Sequence, residues 1–179
     1  SRERCLEIMR IQSKALAMRL KKIHCRKAVI GISGGLDSTL ALLITYQAFQ
    51  QNQLDPKGSI AGTMPGFGTT DRTYQNALSM IREMGATLKE ISIVEACKVH
   101  MKDIGHDIND HDVTYENVQA RERTQILMDL ANQEGGIVIG TGDLSEMALG
   151  FCTYNGDHMS MYAVNASIPK TLVRYLVNT

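Results

Sequence analysis

The chain has 179 residues, 44% hydrophobic and 21% charged, with 19 basic side chains balanced by 19 acidic ones. That is enough apolar material for one globular core, while no apolar run approaches the ~20 residues needed to cross a bilayer. The opening residues, 1–10, lack the apolar stretch of a signal peptide. Cys5, Cys25, Cys97 and Cys152 are scattered and form no C-x-x-C pair, which argues against a metal ribbon or disulfide scaffold and for reduced thiols in a cytoplasmic protein.

The charge is unevenly spread. Residues 1–27 hold nine Lys or Arg against Glu3 and Glu7, so this segment is +7 and the remainder −7. A basic helix can touch nucleic acid. The simpler reading is a solvated helix face, or one packed on an acidic partner surface, and neither a nucleic-acid nor a membrane partner is expected.

In chain order, apolar residues at helical spacing (Ile8, Ile11, Ala15, Met18) predict a helix over about 3–23. A buried strand follows at 28–32, then a helix from Leu36 to about Gln50. Residues 59–64 read as a second strand, stopped by Pro65-Gly66, and 71–84 as a helix with Gly85 at its C-terminal stop. A third strand is expected at 88–94, a helix at 95–102, a polar loop at 103–112, a long helix at 115–133 and a fourth strand at 137–140. A final helix is expected to start near Pro169, and the chain stops shortly after it at Thr179. Short apolar strands alternating with helices imply an α/β fold, with an open parallel sheet and helices on both faces. The chain reads as one domain, 1–179, truncated at its C-terminal end.

The strongest chemical signal is Gly31-Ile-Ser-Gly-Gly-Leu-Asp-Ser38, at the turn from the first strand into a helix. Ligands of open α/β sheets bind at that edge. Gly34 and Gly35 permit a tight turn and close backbone approach. Their N–H groups can cradle an anion together with the helix N-terminus, and the Ser33 and Ser38 hydroxyls add donors. Asp37 would repel a phosphate unless it holds a cation such as Mg²⁺. The alternative is a plain glycine-rich turn in which Asp37 favours the helix N-terminus. There is no Gly-Lys-Ser/Thr, so this is not a Walker loop and kinase or GTPase chemistry is not expected.

Ser33-Gly-Gly-Leu-Asp-Ser38 resembles the signature of the ATP pyrophosphatases, whose Rossmann-like fold is that of the adenine-nucleotide hydrolases. Further along come Asn117-Val-Gln-Ala-Arg-Glu-Arg123, Gly140-Thr-Gly-Asp-Leu-Ser-Glu146, Gly150-Phe-Cys-Thr-Tyr-Asn-Gly-Asp157 and Ile168-Pro-Lys-Thr171. In that order they resemble the NAD synthetases, most closely the synthetase domain of the glutamine-dependent branch. The region around Tyr154 and Met161 departs from the ammonia-only branch, which has Lys and Asp there.

The resemblance implies ATP-dependent amidation of deamido-NAD through an adenylate, with release of AMP and pyrophosphate. Ammonia would be free or supplied from glutamine by a glutaminase domain or subunit, and the enzyme would be a homodimer. ATP would contact Gly31, Ile32, Ser33, Gly34, Gly35, Leu36, Asp37, Ser38, Met64, Thr141 and Lys170, with Asp37 and Lys170 carrying the catalysis. Mg²⁺ would lie on Asp37 and Glu146. Deamido-NAD would meet Asn117, Arg121, Glu146, Phe151, Cys152, Thr153, Tyr154 and Asp157.

Helix spacing alone leaves other readings for some of these residues. Asn117 and Arg121 share a helix face, and either Arg121 or Arg123 could form a surface pair with a nearby Glu. The resemblance decides for a ligand at Arg121 and leaves Arg123 as a surface pair. Asp143 and Glu146 could form a helix cap, and Met64 could be a core methionine. His106, Asp107, Asp110, His111 and Asp112 are rich in metal-ligand types, but they sit in a polar loop without ligand spacing and read as solvated and mobile. Two functional alternatives stay open: a different adenylating enzyme of the same superfamily, such as a tRNA-modifying one, and a non-catalytic nucleotide-binding module.

Overall fold

The computed structural model describes residues 2–68, 72–140 and 161–163. They form α1 (Arg2–Lys22), β1 (Ala28–Gly31), α2 (Leu36–Gln51), β2 (Ser59–Thr63) after a short 3-10 turn, α3 (Arg72–Glu83), β3 (Thr87–Glu90), α4 (Val94–Asp103), α5 (Val113–Glu134), β4 (Ile137–Gly140) and β5 (Met161–Ala163). The sheet order is β3-β2-β1-β4-β5 and every pairing is parallel. The expected open parallel sheet is present. Its order reverses between β1 and β4, and in such sheets ligands gather outside the carboxyl ends of the strands at that reversal.

Period-two alternation along the strands feeds two cores. Ala28, Ile30, Ala61, Ile137 and Ile139 face one side, with Leu16 and Leu20 of α1, Leu40, Ile44 and Phe49 of α2, and Ile81 of α3. Val29, Ile60 and Val138 face the other side against Leu130 and Ala131 of α5. A third cluster joins Met64, Ile93, Cys97, Met101, Tyr115 and Val118 beneath α4 and α5.

The two helices of the first layer explain one another. Leu40, Ala41, Leu42, Ile44, Thr45, Ala48 and Phe49 of α2 are all buried. A helix apolar all round needs cover on its outer side as well as on the sheet. α1 supplies it with Met9, Leu16, Ala17 and Leu20. Ser13 donates to Gln47 at 2.7 Å and the Asn52 amide donates to the Ala17 carbonyl at 2.8 Å, fixing the two helices along their length.

Two expectations need correcting. The helix α1 is present, but the stripe Ile11, Ala15 and Met18 lies on its solvent side, with Ile11 59% and Met18 63% exposed. The buried stripe is offset by half a turn, because α1 carries apolar residues on two faces and periodicity cannot say which one α2 covers. The third strand is shorter than expected. Ladder bonding continues from Ile91 N–H to the Thr63 carbonyl at 2.9 Å, but Ile93 N–H turns to the Pro65 carbonyl and α4 starts at Val94. Ile91, Ile93 and Val94 prolonged the apolar pattern without prolonging the strand. β5 was not anticipated, and the helix expected near Pro169 lies outside the described residues.

Leu16 is fully buried, so Leu16→Ala in the full-length protein should cost about 2–5 kcal/mol. Met18→Ala should stay within about 0.5 kcal/mol. Denaturant midpoints measure both, and equal effects would reverse the assignment of the two stripes. A Cβ on Gly58 would stand 2.5 Å from the Arg26 carbonyl oxygen, where the first two strands begin. Gly58→Ala is therefore expected to destabilise by about 1–3 kcal/mol through overpacking, read by the same unfolding curves.

Candidate functional site

β1 ends at Gly31, and the chain then crosses the carboxyl edge of the sheet before α2 starts at Leu36. Ile32 is buried and its N–H donates to the Gly62 carbonyl at 2.8 Å, so the strand pairing extends one residue into the turn. Gly34 has φ 89, a conformation that glycine reaches without the steric cost other residues meet. Gly35 is the N-cap of α2 and contributes no side chain. A Cβ there would sit 3.3 Å from Ser33 Oγ, inside the concave side of the turn.

The turn is bonded to itself. Gly35 N–H donates to Ser33 Oγ at 3.2 Å, and Ser38 Oγ donates to the Gly35 carbonyl at 3.0 Å. Thr39 Oγ1 donates to that same carbonyl at 2.9 Å, and the two serine hydroxyls lie 3.3 Å apart. Ser38 is 2% exposed while Ser33 faces solvent. Ser38 thus braces the turn from inside, and Ser33 stands at its mouth. Asp37 is half-buried in the first turn of α2. A carboxylate beside backbone N–H groups at a helix start offers hard oxygen to a cation, as Mg²⁺ requires.

Next to this turn lies the exit of β2. Met64 is buried, and its Cε comes within 3.4 Å of where a Cβ on Gly31 would be. The backbone of residues 64–67 is held from α5 and α4. Arg123 Nε donates to the Met64 carbonyl at 3.0 Å, Phe67 N–H donates to Gln119 Oε1 at 3.3 Å, and Ile93 N–H donates to the Pro65 carbonyl at 3.1 Å. Arg123 was expected to pair with a Glu on the helix surface. It instead crosses to the strand edge, because α5 packs over that edge. Helix periodicity carries no information about a partner 59 residues away in sequence.

Asn117 and Arg121 occupy the opposite side of α5, turned about 200° from Gln119 and Arg123 at 100° per residue. Asn117 is half-buried and Arg121 is exposed. The structure therefore groups Gly31–Ser38 with Met64 at one edge and sets Asn117 and Arg121 apart from them. Thr141, Glu146, Phe151, Cys152, Thr153, Tyr154, Asp157 and Lys170 lie outside the described residues.

A polar group not anticipated from sequence closes the β2–β3 side of the edge. Thr63 Oγ1 and the Tyr74 hydroxyl are 3.4 Å apart, and Tyr74 donates to Glu90. That bond to the Glu90 carboxylate holds the Tyr74 phenol above its ordinary pKa. Tyr74 comes from α3 while Thr63 and Glu90 end neighbouring strands, so only the parallel register joins them.

The 103–112 loop is more closely knit than a solvated tether. Asp112 caps α5 by accepting from Tyr115 N–H at 2.9 Å, and it bonds His106 Nε2 at 2.9 Å. The Tyr115 N–H, ahead of His106, holds the Asp112 carboxyl below its usual range. His111 stacks on Tyr115 with ring centres 4.3 Å apart. His106, Asp110 and Asp112 bring potential ligand atoms within 4.8 Å of one another, but the Asp112 oxygen that meets His106 already serves the helix cap.

Cys25 and Cys97 are free and buried. Burial, ahead of the nearby Glu122, pushes the Cys97 thiol up and keeps it protonated. A cleft of about 420 Å³ lined by Leu20, His24, Cys25, Arg26 and Gln53 opens where β1 begins, at the far end of the sheet from the Ser33–Ser38 turn. No described helix is long and apolar enough to cross a membrane.

A glutamine-dependent NAD(+) synthetase of Mycobacterium leprae is 48% identical over 178 residues, covering 97% of this chain and 26% of that protein. This chain thus spans about a quarter of the length of that relative. The solved glutamine-dependent NAD+ synthetase of Acinetobacter baumannii, in complex with ADP, superposes with TM-score 0.81 and 30% identity over 96% of this chain and 32% of its own. The NH3-dependent NAD synthetase of Campylobacter jejuni shares the fold, with TM-score 0.81 at 24% identity over 97% of this chain and 72% of its own. The glycine-built turn at the carboxyl edge, the parallel sheet beneath it and a match of the NAD synthase profile over residues 8–179 lead to one conclusion: this chain belongs to the NAD synthase family.

Proposed function

We propose that this chain provides the ATP-using centre of an enzyme that converts deamido-NAD to NAD. The single observation carrying this reading is the Ser33–Ser38 turn, braced by its own hydrogen bonds at the carboxyl end of β1, on a chain of this family. The A. baumannii relative was solved with ADP, which supports an adenine nucleotide as the ligand here.

In this reading the nicotinate carboxylate of deamido-NAD attacks the α-phosphorus of ATP. A carboxylate–phosphorus bond forms, the α–β phosphoanhydride breaks, and pyrophosphate leaves into the turn. Ammonia then attacks the acyl carbon, its surplus protons pass to solvent, and AMP departs with NAD as the other product. The Gly34 N–H and the Ser33 hydroxyl, which the Gly35 N–H orients, bind the pyrophosphate end, and Lys170 offsets charge at the α-phosphate. No side chain needs to become a nucleophile, so the protein contributes position and electrostatics.

Asp37 and Glu146 would hold Mg²⁺. When bound, that ion supplies charge neutralisation along the triphosphate. Asn117, Arg121, Glu146, Phe151, Cys152, Thr153, Tyr154 and Asp157 would hold deamido-NAD, with Arg121 offering a bidentate partner to a phosphate or carboxylate. The same reading takes the enzyme as a homodimer with the dinucleotide near the subunit interface. Ammonia would come free or from a glutaminase domain or subunit. The free, buried thiols of Cys25 and Cys97 favour a cytoplasmic enzyme.

Replacing Asp37 by Ala in the full-length protein should cut pyrophosphate release by about 100-fold or more, on the scale of losing one electrostatic contact in a transition state. A pyrophosphate-coupled assay decides it, and wild-type turnover would remove Asp37 from the metal role. Gly35→Ala fills the concave side of the turn next to Ser33 without demanding an unusual φ. It should raise KM for ATP by about tenfold, equivalent to ~1.4 kcal/mol. An unchanged KM would place the phosphates elsewhere.

A further inference from the structure

The segment 64–67 leaves β2 beside the phosphate turn, and its composition fixes it only in part: Pro65 restricts its own φ, but the freely turning Gly66 follows it. Three hydrogen bonds from elsewhere fix its backbone. Arg123 holds the Met64 carbonyl, Gln119 accepts from Phe67 N–H, and Ile93 N–H holds the Pro65 carbonyl. Gln119 is 4% exposed and spends its amide N–H₂ on the Tyr115 carbonyl at 3.3 Å, which sets the orientation of its acceptor oxygen. Gly66 is the residue this arrangement demands. A Cβ there would fall 2.4 Å from Gln119 Oε1 and 2.9 Å from an Arg123 guanidinium nitrogen.

These contacts lie against the nucleotide side of the edge. Met64 packs over Gly31, directly beneath the turn that leads to Ser33. Any nucleotide anchored by its phosphates at 33–38 must lay its nucleoside along the crevice at this edge, and the neighbouring strand exits border that crevice. The face of α5 that carries Gln119 and Arg123 is not the face that carries Asn117 and Arg121. One helix therefore addresses two regions with opposite sides, four residues apart on each.

We propose that Gln119 and Arg123 are positioning residues for the adenine nucleotide. They hold the Met64–Phe67 backbone in the shape that receives the nucleoside of ATP, and they act on ATP affinity without acting on deamido-NAD. This deepens the reading that the chain is an ATP-using NAD synthetase and rests on it. The physical ground is preorganisation: a loop fixed before binding does not charge its ordering to the ligand.

The test uses the full-length protein with ATP, Mg²⁺, deamido-NAD and ammonium in steady state, alongside thermal melting of every variant. Arg123→Met and Gln119→Leu should each raise KM for ATP by about tenfold. KM for deamido-NAD and the melting temperature should stay near wild type. Gln119→Glu keeps an acceptor for Phe67 N–H and should recover most of the loss. Arg123→Lys, which keeps a cation but lacks the Nε–H that reaches Met64, should fall between wild type and Arg123→Met, and it serves if the Met variant does not fold.

An unchanged KM for ATP overturns the proposal. So does an equal rise in both KM values, or a loss that follows the melting temperature across the series. Should the wild-type protein bind ATP but leave deamido-NAD unconverted, the function proposed above fails while the clamp is still decided by calorimetry. Weaker Mg·ATP binding in the variants then upholds it, and equal binding rejects it. A wild-type protein that does not bind Mg·ATP at all rejects both.

Discussion

The site is built on the close approach of α5 to the carboxyl ends of β1 and β2. Leu127 lies over that region, and two glycines make room for it. A Cβ on Gly31 would stand 2.9 Å from Leu127 Cδ1, and one on Gly62 would stand 3.4 Å from Cδ2. With side chains at those positions the helix would stand further off, and its polar residues one and two turns earlier would not reach the backbone of residues 64–67. The apolar contacts of the partly buried Ile126 and Leu127 thus set the height at which Arg123 and Gln119 operate. Packing fixes a helix to within a few tenths of an ångström because interiors are dense. Hydrogen bonds of about 3 Å at the edge then follow.

The opposite layer serves the same edge differently. α2 begins at the phosphate turn and is buried along most of its length between the sheet and α1. Its first turn therefore cannot drift, and Asp37 inherits that fixity. α1 is remote from the chemistry, yet without it α2 would present Leu42 and its neighbours to water. The Lys27–Glu134 ion pair, at 2.7 Å, joins the entry of β1 to the end of α5 at the other end of the sheet. It is partly exposed and contributes little by itself. The register of β1 comes from the two strands that flank it.

Much of this was legible in the residues. The alternation of short apolar strands with helices gave the parallel sheet, and Ser33-Gly-Gly-Leu-Asp-Ser38 marked the strand-to-helix turn where the structure has it. These signals are local: a strand needs four or five residues and a glycine turn needs three. What escaped was relational. Tyr74, Thr63 and Glu90 meet only because β2 and β3 are in one register. Arg123 looks like any surface arginine until α5 is laid across β2. The exposed Ile11 and Met18 have the same spacing as a core stripe, and choosing between two apolar faces requires knowing where α2 lies. The third strand failed for a different reason, since Ile93 is buried and Ile91 partly buried without either being in a strand.

The self-bonded state of the turn bears on how such a site can bind a highly charged ligand. Ser38 donates inward to Gly35, Thr39 donates to the same carbonyl, and Gly35 N–H is held by Ser33. A loop that kept these groups solvated would lose backbone freedom on binding, at about 1–2 kcal/mol for each residue newly fixed. Here much of that loss belongs to folding and is offset by the buried apolar body of α2. The glycines then have a double meaning. They weaken the chain locally because they are the most flexible residues in the unfolded state. They also let the backbone itself, with no side chain interposed, form the surface that meets an anion. A fold that catalyses by position sets such an open turn between strongly packed flanks: Ser33 and Gly35 are exposed, while Ala28, Val29 and Ile30 before the turn and Leu40, Ala41 and Leu42 after it are buried.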